Sequence, residues 1–145
     1  LQWSVDQNTL EIHVSHRGSS HHFQQPMQVT TNTFAHPTTF KLSTKCEAVH
    51  LATALSAASE KIRIRNSDNA LIVEGSFTKS EIQCWGFTKT EDVDLHINGT
   101  LCMNILADLQ LISSLVHVEI SPEHLVCITK HIHGGKLTTY MAPLA

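Results

Sequence analysis

The C-terminal stretch Val116 to Ala145, VHVEISPEHLVCITKHIHGGKLTTYMAPLA, leaves the chain the least freedom. Val116, Val118 and Ile120 alternate with His117 and Glu119, the period of two that puts apolar side chains on one face of a strand and polar ones on the other. Ser121-Pro122-Glu123-His124 breaks the run with turn-forming residues. Leu125 to Lys130 resumes it as an apolar strand, and Gly134-Gly135 turns the chain into Lys136 to Tyr140. Three strands with two turns are therefore expected. They end in Met141-Ala142-Pro143-Leu144-Ala145, a small, apolar tail with no charged side chain.

Upstream, Leu1 to Val5 and Leu10 to Val14 flank the polar Asp6-Gln7-Asn8-Thr9 and read as strand, turn and strand. Ser15 to Gln25 is polar and contains Gly and Ser, so a loop is expected there. Met27 to Phe34 is β-prone, and Ala35-His36-Pro37 interrupts it, because proline confines the residue before it to extended geometry. This is the most linker-like point. Thr38 to Leu42 predicts a short strand, and Thr44 with Glu47 fits a capping box opening a helix that runs to Ala58. Its apolar stripe is Ala48, Leu51, Ala52 and Leu55, with Lys45, His50 and Thr53 off the stripe.

Glu60 to Arg65 alternates strictly, Ile62 and Ile64 against Lys61, Arg63 and Arg65. Asn66 to Asn69 is a turn, Ala70 to Glu74 a strand, Gly75-Ser76 a bend, and Ile82 to Phe87 a further strand. Asp92 to Ile97 precedes Asn98-Gly99, the favoured pair for a two-residue type I′ hairpin. A strand over Thr100 to Ile105 and a short helix over Leu106 to Ser113 should follow. Asn98-Gly99-Thr100 is also a glycosylation sequon, relevant only to a secreted chain.

With 145 residues, 41% of them hydrophobic, one core is expected. The net charge of -3 does not advertise nucleic acid or an anionic membrane. No apolar run approaches the roughly 20 residues of a membrane span. Cys46, Cys84, Cys102 and Cys127 are widely spaced and read as small core residues suited to a reducing compartment. The 11 histidines, His21-His22 and His131-x-His133 above all, invite a metal. No further ligand stands at a zinc spacing, so neither metal nor cofactor is expected. A Cys/His nucleophile would need a setting that lowers the thiol pKa, and none is visible. The first residue is Leu1 rather than methionine, so a fragment or part of a longer chain is expected.

GGKLTTYMAPLA and FKLSTKCEAVHLATALSAASEKIRIRNSDNALIVEGS together resemble the eukaryotic-type sliding clamp, the proliferating cell nuclear antigen family with its checkpoint-clamp relatives. The first is similar to that family's terminal strand and Tyr-x-Ala-Pro tail, the second to the first helix and following strands of its second domain. The resemblance implies an α+β fold, a sliding-clamp domain of antiparallel sheets with two helices on one face. Residues 35–145 would form that domain, and residues 1–34 the terminal strands of a preceding one or an N-terminal extension.

It also implies a non-enzymatic processivity or checkpoint subunit in the nucleus, or at a site of viral DNA replication. Such a subunit would join a homo- or hetero-oligomeric ring on double-stranded DNA, without base specificity and without a membrane. Lys45, His50, Thr53 and Lys61 would face DNA. Phe34, His36, Tyr140, Met141, Ala142, Pro143 and Leu144 would border a groove for peptide motifs of polymerases or repair proteins. Two other readings stand beside these. The tail can simply cover a sheet edge, and the helices carry little of the positive charge that phosphate contact needs, Asp108 and Gln110 included. A β-rich protein-interaction module without DNA binding is therefore the alternative, with a small metal-binding or hydrolytic enzyme behind it.

Overall fold

The computed structural model describes residues 2–6, 9–26, 35–58, 60–99, 115–132 and 134–144. Contacts divide the chain into two units, Leu1–His36 and Pro37–Ala145.

The first unit is an antiparallel sheet of β1 (Gln2–Asp6), β2 (Thr9–His16) and β3 (Ser19–Pro26), in that order. The loop expected over Ser15 to Gln25 is instead the end of β2, a tight turn and most of β3. Arg17 and Gly18 take positive φ values of 46° and 83°, the backbone that a two-residue type I′ hairpin requires. All of β3 is exposed, so it has no apolar alternation to betray it, and its backbone ladder with β2 alone defines the strand. Met27 to Phe34 lies outside the described residues.

The second unit holds β4 (Leu42–Glu47), α1 (Ala48–Ala58), β5 (Lys61–Asn66), β6 (Ala70–Glu74), β7 (Lys79–Gln83), β8 (Trp85–Lys89), β9 (Asp94–Asn98), β10 (Leu115–Ile120), β11 (Val126–Ile132) and β12 (Gly135–Met141). One sheet runs β12-β11-β10-β4-β8 and the other β7-β6-β5-β9, with neighbours antiparallel. Among the described residues the protein is mostly β with one helix. The second helix expected over Leu106 to Ser113, and the strand over Thr100 to Ile105, lie outside them.

The helix begins at Ala48, and the capping box at Thr44 is not formed. Leu42, Thr44 and Cys46 are fully buried while Ser43, Lys45 and Glu47 alternate outward, and each residue from Leu42 to Glu47 pairs with β10. A central strand gains ladder partners on both sides, which outweighs a local cap. The Thr44 hydroxyl instead donates to the Trp85 carbonyl at 3.0 Å, and its oxygen does not serve as the acceptor that a capping box needs. Likewise, Ile82 to Phe87 is not one strand: the chain leaves β7 at Gln83, passes Cys84 and enters β8 in the other sheet. Asn98-Gly99 is not a type I′ turn, since neither residue has positive φ. Asn98 still pairs with Lys61, and the Gly99 amide donates to the Glu60 carbonyl at 2.7 Å, extending the β5–β9 ladder.

Leu42, Leu55, Ile62, Leu71, Ile97 and Ile120 are the largest fully buried side chains. They join α1 to both sheets in one core, each contributing about 1.5–3 kcal/mol by leaving water. The buried stripe of α1 is Ala48, Leu51, Ala52, Ala54, Leu55 and Ala58. Its small residues let the helix approach closely, most of all at Gly75, where a Cβ would lie 2.3 Å from the Ala58 carbonyl oxygen.

Candidate functional site

The outward face of α1 is Val49, His50, Thr53, Ser56 and Ala57. The helix, AVHLATALSAA, contains no Lys, Arg, Asp or Glu. His50 Nε2 stands 3.6 Å from the Glu47 carboxylate, and the Thr53 hydroxyl donates to the Val49 carbonyl at 2.8 Å, within the helix. Lys45 and Lys61 do not join them. Both extend from the sheet faces opposite the buried side chains that meet α1, Lys45 between Thr44 and Cys46, Lys61 beside Ile62. The residues expected to face DNA are therefore distributed over three surfaces.

The two arginines on the basic face of β5 are paired with carboxylates. Arg63 donates to both oxygens of Asp94 at 2.8 and 2.6 Å and reaches Glu74 at 3.4 Å. Arg65 donates to Glu74 at 3.2 and 2.8 Å. This network crosses β6, β5 and β9, and it satisfies guanidinium geometry that phosphates would otherwise use. Hydrogen bonds from Arg63 hold the Asp94 carboxyl below the usual carboxylate range, and those from Arg65 do the same for Glu74. Lys89 and Asp92 form a second pair at 2.7 Å.

Cysteine chemistry is disfavoured at two positions. Burial pushes the Cys46 thiol up to about 12, and burial with the nearby Glu119 pushes Cys127 up to about 11. A thiol held protonated is a poor nucleophile. His117, on the sheet face that also carries Lys45 and Glu119, lies 2.7 Å from the Ser43 hydroxyl and 3.8 Å from Glu119. A surface depression of about 610 Å³ is lined by Ser67, Asp68, Asn69, Ala70, Glu81 and Gln83. A smaller one, about 300 Å³, lies over Lys61, Arg63, Glu74, Gly75, Ser76 and His96.

The tail has a defined course. Met141 closes β12 opposite Val126 and is only 5% exposed. Ala142 is exposed, Pro143 half-buried, and the Leu144 amide donates to the His96 carbonyl at 2.7 Å. The chain thus leaves the edge of one sheet and reaches β9 at the edge of the other. Tyr140 and Leu144 present apolar surface, 37% and 41% exposed. Phe34 lies outside the described residues, and His36 is exposed in the first unit.

One grouping escaped the sequence reading. Glu11, His13 and His22 bring a carboxylate and two imidazoles within 4.8 Å of one another on β2 and β3. Glu11-x-His13 was a legible period-two signal, but its partner needed the register set by Arg17-Gly18. Of the histidine pairs singled out in the sequence, His21 faces away from this group, and His133 lies outside the described residues.

Compared with known proteins, the sequence matches no protein-family model and no curated protein. Among solved structures, the chain is similar to PCNA from Thermococcus kodakaraensis, with a TM-score of 0.71 at 15% identity, over 97% of this chain and 63% of that one. The chain has a sliding-clamp-like fold and spans less than two thirds of that structure's length.

Proposed function

We propose that this chain is a non-enzymatic clamp-type subunit, or part of one, that holds replication, checkpoint or repair factors on double-stranded DNA. The clamp-like fold is the observation that carries this reading. Assembly into a homo- or hetero-oligomeric ring would use edge strands; among the described residues β8 and β12 are the outer strands of one sheet and β7 and β9 of the other, with β9 already taking the Leu144 amide. Pairing between subunits would also remove edges that otherwise invite aggregation.

Contact with DNA in this reading is sequence-independent attraction to phosphates. His50 and Thr53 stand on the outward face of α1, while Lys45 and Lys61 would act only through their own sheet faces. In the partner-binding tail, Met141 is the buried anchor, and Tyr140, Ala142, Pro143 and Leu144 offer the surface. The place of action would be the nucleus or a site of viral DNA replication. The deciding experiment is the mass of the assembly in solution, combined with retention of closed circular DNA across a salt series. A ring with salt-sensitive retention supports the proposal, and a monomer without retention at low salt overturns it.

A second reading is favoured by the uncharged helix face: a β-rich interaction module that binds peptides without DNA. It expects peptide capture by the monomer, lost when residues 141–145 are removed.

A further inference from the structure

We infer that the β2–β3 hairpin carries a site for one zinc ion, bound by His13, His22 and Glu11. The register places the donors. His13 stands directly opposite His22, and Glu11 precedes His13 by two residues and therefore shares its face. The two imidazoles stack with centroids 3.9 Å apart and planes 15° from parallel. His22 Nε2 lies 3.8 Å from Glu11 Oε2. All three ligand atoms fall within 4.8 Å of one another.

Tetrahedral zinc, with Zn–N and Zn–O bonds of about 2.0–2.2 Å, holds its donors about 3.4 Å apart. Donors that now lie within 4.8 Å of one another must close by up to about 1.4 Å, and the stacked rings, whose in-plane lone pairs run side by side, must turn so that both point at one ion. Both histidines are exposed and Glu11 is half-buried, so the rotations meet no core packing. The other Glu11 oxygen, Oε1, accepts a hydrogen bond from Gln24 Nε2 at 3.1 Å. That bond orients the carboxylate and leaves Oε2 turned towards His22, as an outer partner does for a metal ligand.

The donor set selects the metal. Two imidazoles with one carboxylate suit zinc and its transition-metal neighbours, whereas calcium and magnesium favour oxygen ligands throughout. Three protein ligands leave the fourth position to water, an open site. The hairpin also has reason to use a cross-link: every residue of β3 is exposed, so burial contributes little to holding it against β2. A metal joining β2 to β3 supplies stability where packing does not.

The test is zinc titration of the whole chain by calorimetry after chelator treatment, with metal content measured after dialysis. One zinc per chain is expected. His13→Ala and His22→Ala should each weaken binding by more than about tenfold, and Gln24→Ala by roughly tenfold. His21→Ala, on the other face of β3, should bind as the parent does. Zinc should also slow amide exchange over residues 19–26 of the unaltered chain, a readout that needs no variant. Absence of saturable binding, equal binding by His13→Ala and His22→Ala, or an equal loss in His21→Ala overturns the assignment.

Discussion

Replacing Gly75 with alanine should destabilise the second unit by about 3 kcal/mol, the upper part of the range for overpacking a core. The magnitude follows from the approach of the β6–β7 connection to the end of α1. A Cβ on Gly75 would sit 2.3 Å from the Ala58 carbonyl oxygen, 2.6 Å from its Cα and 2.8 Å from its carbonyl carbon. Ordinary contacts between carbon atoms lie at about 3.5–4.0 Å, and no rotamer change can move these backbone atoms. Ala58 is 2% exposed, so the helix end has no room to retreat. Displacing the connection instead would strain the Gly75 amide bond to the Thr78 carbonyl at 2.9 Å and the Thr78 hydroxyl bond to the Ala57 carbonyl at 3.3 Å. Urea unfolding followed by circular dichroism reads the loss. With an m-value of about 1–3 kcal/mol/M, the midpoint should fall by roughly 1–3 M. Ser76→Ala, next in the chain and exposed, should stay within about 0.5 kcal/mol of the parent. If Gly75→Ala unfolds within about 1 kcal/mol of the parent, the close approach and the reasoning built on it are wrong.

Acid should weaken the fold through the network on β5, β6 and β9. The carboxyls of Asp94 and Glu74 titrate lower when folded than when unfolded, so their contribution is complete above the ordinary carboxylate range and is lost as pH falls through and below it. Asp94→Asn should flatten the acid limb of a urea-midpoint profile; an unchanged limb refutes the linkage. If α1 faces DNA, His50→Lys with Thr53→Lys should strengthen retention and steepen its log–log salt dependence by up to about 1.8, two phosphate contacts at about 0.9 each. No change in slope places DNA elsewhere. Leu144→Pro removes the amide that reaches His96, so exchange with deuterium at the neighbouring tail amides should quicken while global stability stays within about 0.5 kcal/mol; persistent protection there would mean the bond does not hold the tail.

The alternation of Ile62 and Ile64 with Lys61, Arg63 and Arg65, and of Val116, Val118 and Ile120 with His117 and Glu119, was legible because those strands are half-buried and show one face to the core. β3 was not, since a strand exposed on both faces leaves no hydrophobic period. β4 was misread because Thr44 and Glu47 satisfy a local capping rule that a central sheet position overrides. The same shift moved Lys45 from a helix end to a sheet face. The pairing of Arg63 with Asp94, like that of His13 with His22, depends on strand register, which local pattern does not encode. The tail's apolar character could be read directly, whereas its bond to β9 required knowing which sheet edge lay within reach.

That bond gives the tail a competitive part in any encounter along β9. A strand arriving to pair there would need the His96 carbonyl that the Leu144 amide occupies. Pairing at that point then becomes an exchange of one backbone donor for another, and its net gain is reduced by the bond surrendered. Only a partner offering several further ladder bonds, or apolar cover for Leu144, would displace the tail, so a short stray strand is turned away by the segment that follows β12.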